Sequence, residues 1–322
     1  MLKLVDTTTH KIRMKVIGIG GAGVTAVNRM ISHNLEGVDF IVANTDTTQL
    51  NVSSAPIKIQ LGAELTKGFG TAGNINLGRR AAIECKHLLI RHLKGADMIF
   101  IIAGLGGGTG TGGTPVVAEV CKDLGALTIA VVTRPFQFEG KVRNERAKKG
   151  IVELRRIVDT LIVIPNQRLI DLGTKTVTLQ EVFERADDTL VIAVKSISDV
   201  ILALGRINVD FADVKTIMSY KGSTLMGTSV ASGENRAIEA TEKAISSPLM
   251  ENNSIHGAHG VLLNITGGPD FSLSESNEAL TSVRDCVNEN AHIIIGTIID
   301  ENMKDKMRVT IIATGIEDDA QR

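Results

Sequence analysis

The sequence has no tryptophan and one tyrosine, and its formal net charge is −1. A chain so short of stacking rings, and without a basic excess, lacks the footprint of a nucleic-acid binder, so no nucleic-acid partner is expected. Its three cysteines, Cys85, Cys121 and Cys286, lie far apart in apolar or helical settings. That pattern excludes a disulfide framework and a cysteine zinc site, and it suits reduced thiols in a cytoplasmic protein. No run of about 18 apolar residues is present to cross a bilayer. The first thirteen residues lack the apolar core of a signal peptide. A soluble, cytoplasmic protein without direct membrane insertion is the expectation. The P-loop signature is absent too, because no lysine follows any of the glycine-rich turns.

What is present centres on Ala103 to Pro115, where six glycines from Gly106 to Gly113 alternate or cluster with threonine alone. The apolar run Met98 to Ala103 before it reads as a buried strand. Val116 to Val120 after it reads as the start of a helix, with Pro115 near the first turn. A glycine-dense strand-to-helix turn lets backbone N–H groups converge on an anion at the positive end of a helix. Without a lysine, backbone dipoles, helix ends and a bound cation must hold phosphates there.

Elsewhere in the first half, strands at Lys15–Gly20, Phe40–Asp46, Ile57–Ile59, Leu127–Thr133 and Thr160–Ile164 alternate with helices at 24–33, 77–92 and 142–158. Near-continuous apolar strands between helices indicate α/β architecture, a doubly wound parallel sheet covered on both faces. Ligands of such sheets sit at the carboxyl ends of the strands. There the pattern collects Gly20 to Gly23, Asn44 to Asp46, a mobile loop at Gly68–Asn74, and Gly106 to Gly112. Gly18, Gly20 and Gly23 also match a dinucleotide fingerprint, with Asp46 at about the 20-residue spacing of a ribose contact, so an NAD-dependent enzyme is a rival reading. The basic helix bearing Arg143, Arg146, Lys148, Lys149, Arg155 and Arg156 is by default a solvated face.

Thr178-Leu179-Gln180-Glu181 is a capping box, and apolar residues then recur at helical spacing to Leu204 before Gly205 ends the helix. The strand and helix pattern from about Gly222 suggests a smaller α/β domain, with the long helix as the spine between the two. Just past that helix lies Asn208-Val209-Asp210-Phe211-Ala212-Asp213. Its two carboxylates, three apart, share one side of a helix that starts near Phe211. Read by themselves, they are a helix cap and a charge at the dipole's positive end.

In Asn44-Thr45-Asp46, the glycine run at Gly106 to Gly112 and Asn208 to Asp213, the chain resembles FtsZ, the tubulin-like GTPase family of bacterial cell division. The likeness runs from Lys15 to about Gly315. It implies a GTP-binding domain at 14–177, a central helix at 178–205 and a C-terminal GTPase-activating and assembly domain at 206–316. A flexible arm at 1–13 and a polar tail at 317–322 flank them. GTP or GDP would be held by Gly20, Gly21, Ala22, Gly23, Val24, Thr25, Asn44, Thr71, Ala72, Gly73, Gly104, Gly106, Gly107, Gly108, Thr109 and Gly110. Glu139 and Arg143 would reach the ribose side, which lifts them from the solvated-face default. Asn166, Phe183 and Asp187 would meet the guanine, whose N1–H and N2–H a carboxylate can accept together. Mg2+ is the expected cation, with K+ a second candidate, and no side-chain metal site is assigned.

The resemblance also recasts Asp210 and Asp213. The helix from Asp187 to Leu204 spans about 25 Å, so these acids, with Asn208, should complete the site of a neighbouring copy in trans. Such a head-to-tail contact does not close on itself and generates a filament. Division-ring proteins are the other partners implied, and the division site the location. Three departures stand out. Val24 and Thr25 replace the family's Asn, and Thr71-Ala72 replaces a small Ala-Gly pair, which should stiffen the loop that senses the terminal phosphate. The chain also stops at Arg322, before the family's docking tail. Either the sequence is a piece of a longer chain or that recruitment route is missing. A nucleotide-binding filament protein with little hydrolysis is the alternative these departures keep open.

Overall fold

The computed structural model describes residues 11–171, 178–202, 210–250 and 255–317. Six parallel strands build the first half: β1 (Met14–Ile19), β2 (Val38–Asn44), β3 (Ile57–Gln60), β4 (Met98–Gly104), β5 (Leu127–Arg134) and β6 (Thr160–Pro165). They run in the order β3-β2-β1-β4-β5-β6. Sequence order therefore reverses at β1, whose neighbours are β2 and β4, and the crevice beyond the carboxyl ends of β1 and β4 is the topological switch point. Strand β4 shows why the sheet is doubly covered. Met98, Phe100 and Ile102 belong to one core and Ile99, Ile101 and Ala103 to the other, all fully buried. A continuous apolar run is what a strand buried on both faces requires.

The helices of this half are α1 (Gly20–Ser32), α2 (Thr47–Asn51), α3 (Ala63–Thr66), α4 (Ile75–Glu84), α5 (Lys86–Leu93), α6 (Gly108–Asp123), α7 (Lys141–Arg155) and α8 (Asn166–Asp171). Two expectations need correction. The helix expected over 77–92 is two, because the backbone leaves helical geometry at Cys85 (φ −98°, ψ 12°), whose buried thiol lies 3.2 Å from the Gln60 carbonyl oxygen. The glycine run is also not a turn that ends at Pro115. Helix α6 already begins at Gly108, and Pro115 sits inside it. Glycine and proline are poor helix formers, but packing overrides propensity here. A Cβ on Gly112 would come 2.1 Å from the Ile75 carbonyl oxygen of α4, so the two helices meet backbone to backbone. Only a helix face without side chains permits that approach.

Helix α9 (Leu179–Leu202) opens with the expected capping box: Thr178 Oγ1 accepts from the Glu181 amide (3.3 Å), and Glu181 accepts from the Thr178 amide (2.8 Å). Residues 203–209, including the expected stop at Gly205, lie outside the described residues. Then follow α10 (Phe211–Met218), β7 (Ser223–Ser232), α11 (Arg236–Ile245), β8 (Gly260–Gly267), α12 (Leu273–Arg284), β9 (His292–Ile299) and β10 (Lys306–Ile316). This second half continues the same sheet as β7-β10-β8-β9, but β6 and β7 share only the pair Ile162 and Thr224. It carries its own core beneath α11 and α12. Helix α9 packs its apolar face into the core shared by β4, β5, β8 and β9, so it lies between the two halves as its amphipathic pattern requires.

Candidate functional site

A cleft of about 680 Å³ opens over the switch point, lined by the ends of β1, β2, β4, β5 and β6 and by one flank of α9. Its inner end is almost entirely backbone. Gly20, Gly21 and Ala22 begin α1, and Gly107, Gly108, Thr109 and Gly110 begin α6. Two helix N-termini thus converge on one space with no Cβ beyond those of Ala22 and Thr109. Gly110 is fixed there by contact, because a Cβ on it would stand 2.4 Å from the Gly104 carbonyl oxygen. A chain of buried hydroxyls crosses this end: Thr45 Oγ1 and Thr109 Oγ1 are 2.7 Å apart, and Thr71 Oγ1 is 3.4 Å from Thr109 Oγ1. Asn44 is buried at the end of β2. It donates to Gln49 Oε1 (2.9 Å) and accepts from the Thr45 amide (2.8 Å), which fixes the turn into α2. The loop at 68–74, expected to be mobile, is tied to this turn through Thr47 N to Gly68 O (3.1 Å) and Gly70 N to Thr45 O (3.2 Å).

The outer end is made of side chains. Glu139 accepts from the Phe136 amide (2.9 Å) and from Arg143 (2.5 Å). Phe136 stacks on Phe138 at 5.1 Å and meets the edge of Phe183 at 5.2 Å, leaving the Phe183 ring half open to the cleft. Asn166, the first residue of α8 just beyond β6, is 6 % exposed, and its Oδ1 has no hydrogen-bond partner. An orphaned buried acceptor is costly unless something fills the space with a donor. Asp187 of α9 lines the same end, and burial pushes its carboxyl up to about 7. The Arg29 guanidinium opposes that rise, while Asp188 and Glu184 add to it. Arg29 itself grips Asp188 with two hydrogen bonds, of 2.5 and 2.9 Å, so α1 and α9 are locked together beside Asp187.

Among the described residues lining the cleft, Arg143 is the one cation, against the carboxylates of Asp46, Glu139 and Asp187. A polyanion entering here meets amides and helix dipoles, and its charge asks for an accompanying cation. Among the described residues no group of three His, Cys, Asp or Glu side chains could hold a metal. The oxygens of Asp46, Gln49 and Thr109 at the inner end suit a hard, oxygen-seeking ion that arrives with the phosphates.

Comparison with known proteins decides the family. Residues 13–174 match the model of the Tubulin/FtsZ family GTPase domain, and residues 222–317 match the FtsZ family C-terminal domain. The chain belongs to the Tubulin/FtsZ family. An empty dimer of FtsZ from M. jannaschii is 41% identical and superposes with a TM-score of 0.90, covering 96% of this chain and 89% of that one. The GTPγS-bound protofilament of CetZ2 from Haloferax volcanii (21% identity, TM-score 0.80, 95% of this chain and 94% of that one) shares the fold. So does the GDP-bound monomer of CetZ1 from the same organism (20% identity, TM-score 0.81, 95% of each chain). The fold class expected from the sequence is therefore the fold observed.

Within this family frame, most of the residues assigned from the sequence border one cleft: Gly20, Gly21, Ala22, Thr25, Asn44, Thr71, Ala72, Gly73, Gly104, Gly107, Gly108, Thr109, Gly110, Glu139, Arg143, Asn166, Phe183 and Asp187. Three do not border it. Gly23 is buried against β4, where a Cβ would meet the Ile102 carbonyl oxygen at 2.5 Å. Val24 is 3 % exposed in the core under α1, because an apolar side chain on a helix turns toward the sheet. Gly106 faces α7, and its amide donates to Thr111 Oγ1 (2.8 Å). Thr25 does reach the cleft rim but bonds back to the Gly21 carbonyl (3.1 Å). Asn208 lies outside the described residues. Asp210 and Asp213 are exposed at the start of α10 and do not line the cleft. Asp210 occupies the N-cap position, yet its side chain makes no capping bond, so the simple helix-cap role is not filled. Gln49, Phe69, Thr133 and Leu190 line the cleft without having been assigned. Their neighbours Asp46, Gly70 and Asp187 were the nearest signals.

Proposed function

We propose that this cleft binds GTP and hydrolyses it to GDP and phosphate in head-to-tail filaments of the chain, with hydrolysis completed in trans. The observation that carries the reading is the division of acids along α9. Asp187 borders the cleft, whereas Asp210 and Asp213 stand exposed beyond the helix's other end. From Asp187 to Leu202 the helix rises about 22 Å, too far for its own cleft and well placed for a copy stacked in line. Phosphoryl transfer needs positioning and charge stabilisation above all, so a site that lacks its water-orienting acid until assembly is chemically sound. In this reading Asn166 Oδ1 and the Asp187 carboxylate accept from the guanine edge, and Phe183 covers the ring. The two helix N-termini hold the phosphates, with Gly104 and the Thr71–Gly73 loop beside them. Mg2+, with K+ as a second candidate, neutralises phosphate charge near Asp46, Gln49 and Thr109.

Residues 14–177 then bind nucleotide, 178–205 link, and 206–316 supply the activating face. Assembly of a division ring in the cytoplasm, with division proteins as further partners, is the biological role this reading supports. NAD-dependent chemistry is disfavoured, because a second glycine-dense helix start, at Gly108, shares the cleft with the one at Gly20, which a dinucleotide site does not require.

The test is phosphate release across a protein dilution series. Specific activity should rise above a threshold concentration, and Asp213→Ala should bind GTP normally yet turn over about 10²-fold more slowly. Activity that is linear in concentration would remove the trans arrangement. Light scattering on GTP without phosphate release would favour the non-hydrolysing filament.

A further inference from the structure

A second cavity, of about 540 Å³, lies behind the loop that closes the inner end of the cleft, and Ala72 and Gly73 border both spaces. Its walls carry Arg79, Arg146 and Lys149 against one carboxylate, Glu153. Glu153 is already paired with Arg79. Among the described residues, Arg146 and Lys149 make no hydrogen bond or ion pair, whereas on the same helix Arg143 pairs with Glu139 and Lys148 with Glu145. Helix α4 begins at Ile75, and Ile75 and Asn76 also line the cavity. The positive end of a ten-residue helix therefore adds to the same field. Gly73 makes the arrangement possible. Its φ is +78°, and a Cβ on it would stand 2.7 Å from an Arg146 guanidinium nitrogen. The bare backbone lets that guanidinium lie directly against the loop.

Two unpaired cations, a helix N-terminus and a wall shared with the phosphate end of the cleft define an anion site separate from the nucleotide's own. We propose that this cavity is a second oxyanion site that takes inorganic phosphate while GDP still occupies the cleft, receiving the phosphate released by hydrolysis. The proposal rests on the reading that the cleft binds GTP. The shared chemistry is a tetrahedral phosphate dianion, and a second nucleotide's terminal phosphate would satisfy it equally. The position beside the terminal-phosphate loop favours the free ion.

The test uses the full chain saturated with GDP, titrated with inorganic phosphate at constant ionic strength and followed by 31P NMR line broadening. The wild type should saturate at one phosphate per chain without displacing GDP. Arg146→Gln and Lys149→Gln should each weaken phosphate about tenfold, as expected for loss of one charged hydrogen bond. Glu153→Gln should tighten it, and GDP affinity should stay constant in all three. Lys149 is exposed and engages nothing, so its variant reports the site without disturbing the fold. Non-saturating broadening, equal behaviour of all variants, or displacement of GDP would each overturn the proposal. A parallel titration with excess GDP separates the sources, since uptake of a second GDP in preference to phosphate would assign the cavity to a nucleotide instead. If GDP fails to bind at all, the functional reading falls. The same phosphate titration of the nucleotide-free chain and its variants then judges the cavity independently.

Discussion

The two ends of the cleft are built by opposite means. At the inner end, recognition is made of backbone: helix starts at Gly20 and Gly108 sit so close to their neighbours that a Cβ would stand 3.1 Å from the Gly110 amide nitrogen in the first case and 2.3 Å from Thr71 Oγ1 in the second. At the outer end it is made of side chains under stress: Asn166 with an unsatisfied oxygen, Asp187 with a carboxyl raised to about 7, and a cluster of three phenylalanines. The inner end is thus defined by atoms that are missing, the outer end by atoms that lack partners. Adding a methyl should ruin the first, and removing a charge should ruin the second.

The largest effect is expected for Gly110→Ala. Its Cβ would meet the Gly104 carbonyl oxygen, which belongs to a central strand and cannot step aside. A loss of about 3 kcal/mol or more in urea denaturation is expected, with nucleotide binding lost alongside. Unchanged stability would contradict a close-packed backbone cradle. Asp187→Asn should do the reverse. It should lower GTP affinity about 10²-fold, as loss of two charged hydrogen bonds implies, while stability at pH 8 does not fall, because a carboxylate disfavoured by burial has been removed. Calorimetric titration beside urea denaturation separates the two outcomes.

The same residue makes the outer end sensitive to pH and leaves the inner end indifferent. Because burial raises the folded-state pKa of Asp187 to about 7, the folded chain holds that proton more tightly than the unfolded chain. The group's contribution to stability therefore declines as pH rises from the ordinary carboxylate range to 7. Guanine donors favour the ionised form, so GDP affinity should weaken as pH falls below 7, approaching tenfold per unit. Asp187→Asn should flatten both profiles.

Much of this was legible in the residues. Alternation of apolar strands with helices gave the parallel sheet, and glycines at strand ends marked the inner end of the cleft. The extent of α6 was not legible, because its helical state depends on α4 lying against it, and helix propensity argues the other way at each of Gly108, Gly110, Gly112 and Gly113. The outward turn of Thr25 beside the inward turn of Val24 was equally invisible in the motif, which does not fix the rotation of α1 against the sheet. Asn166 and Asp187 came only from the family resemblance. Nothing in their local sequence announces that a buried amide oxygen will lack a donor, or that Asp188 will take the Arg29 fork and leave its neighbour desolvated.

The smallest effect sharpens the comparison at the loop between the cleft and the cavity behind it. Ala72 has φ 45°, a left-handed conformation that costs a side-chain-bearing residue about 1 kcal/mol, and its exposed methyl group has little packing to lose. Ala72→Gly removes that strain but widens the unfolded ensemble, so a net gain of about 0.5 kcal/mol is expected in urea denaturation. The adjacent Gly73→Ala should cost stability, since its φ of +78° is a conformation that L side chains rarely adopt. Opposite signs at neighbouring residues would show that the loop follows the backbone logic of the inner end, although its left-handed turn places an alanine before the glycine. Equal signs would mean that the loop relaxes around either residue, and the resemblance to the rigid cradle beside it would end at Thr71.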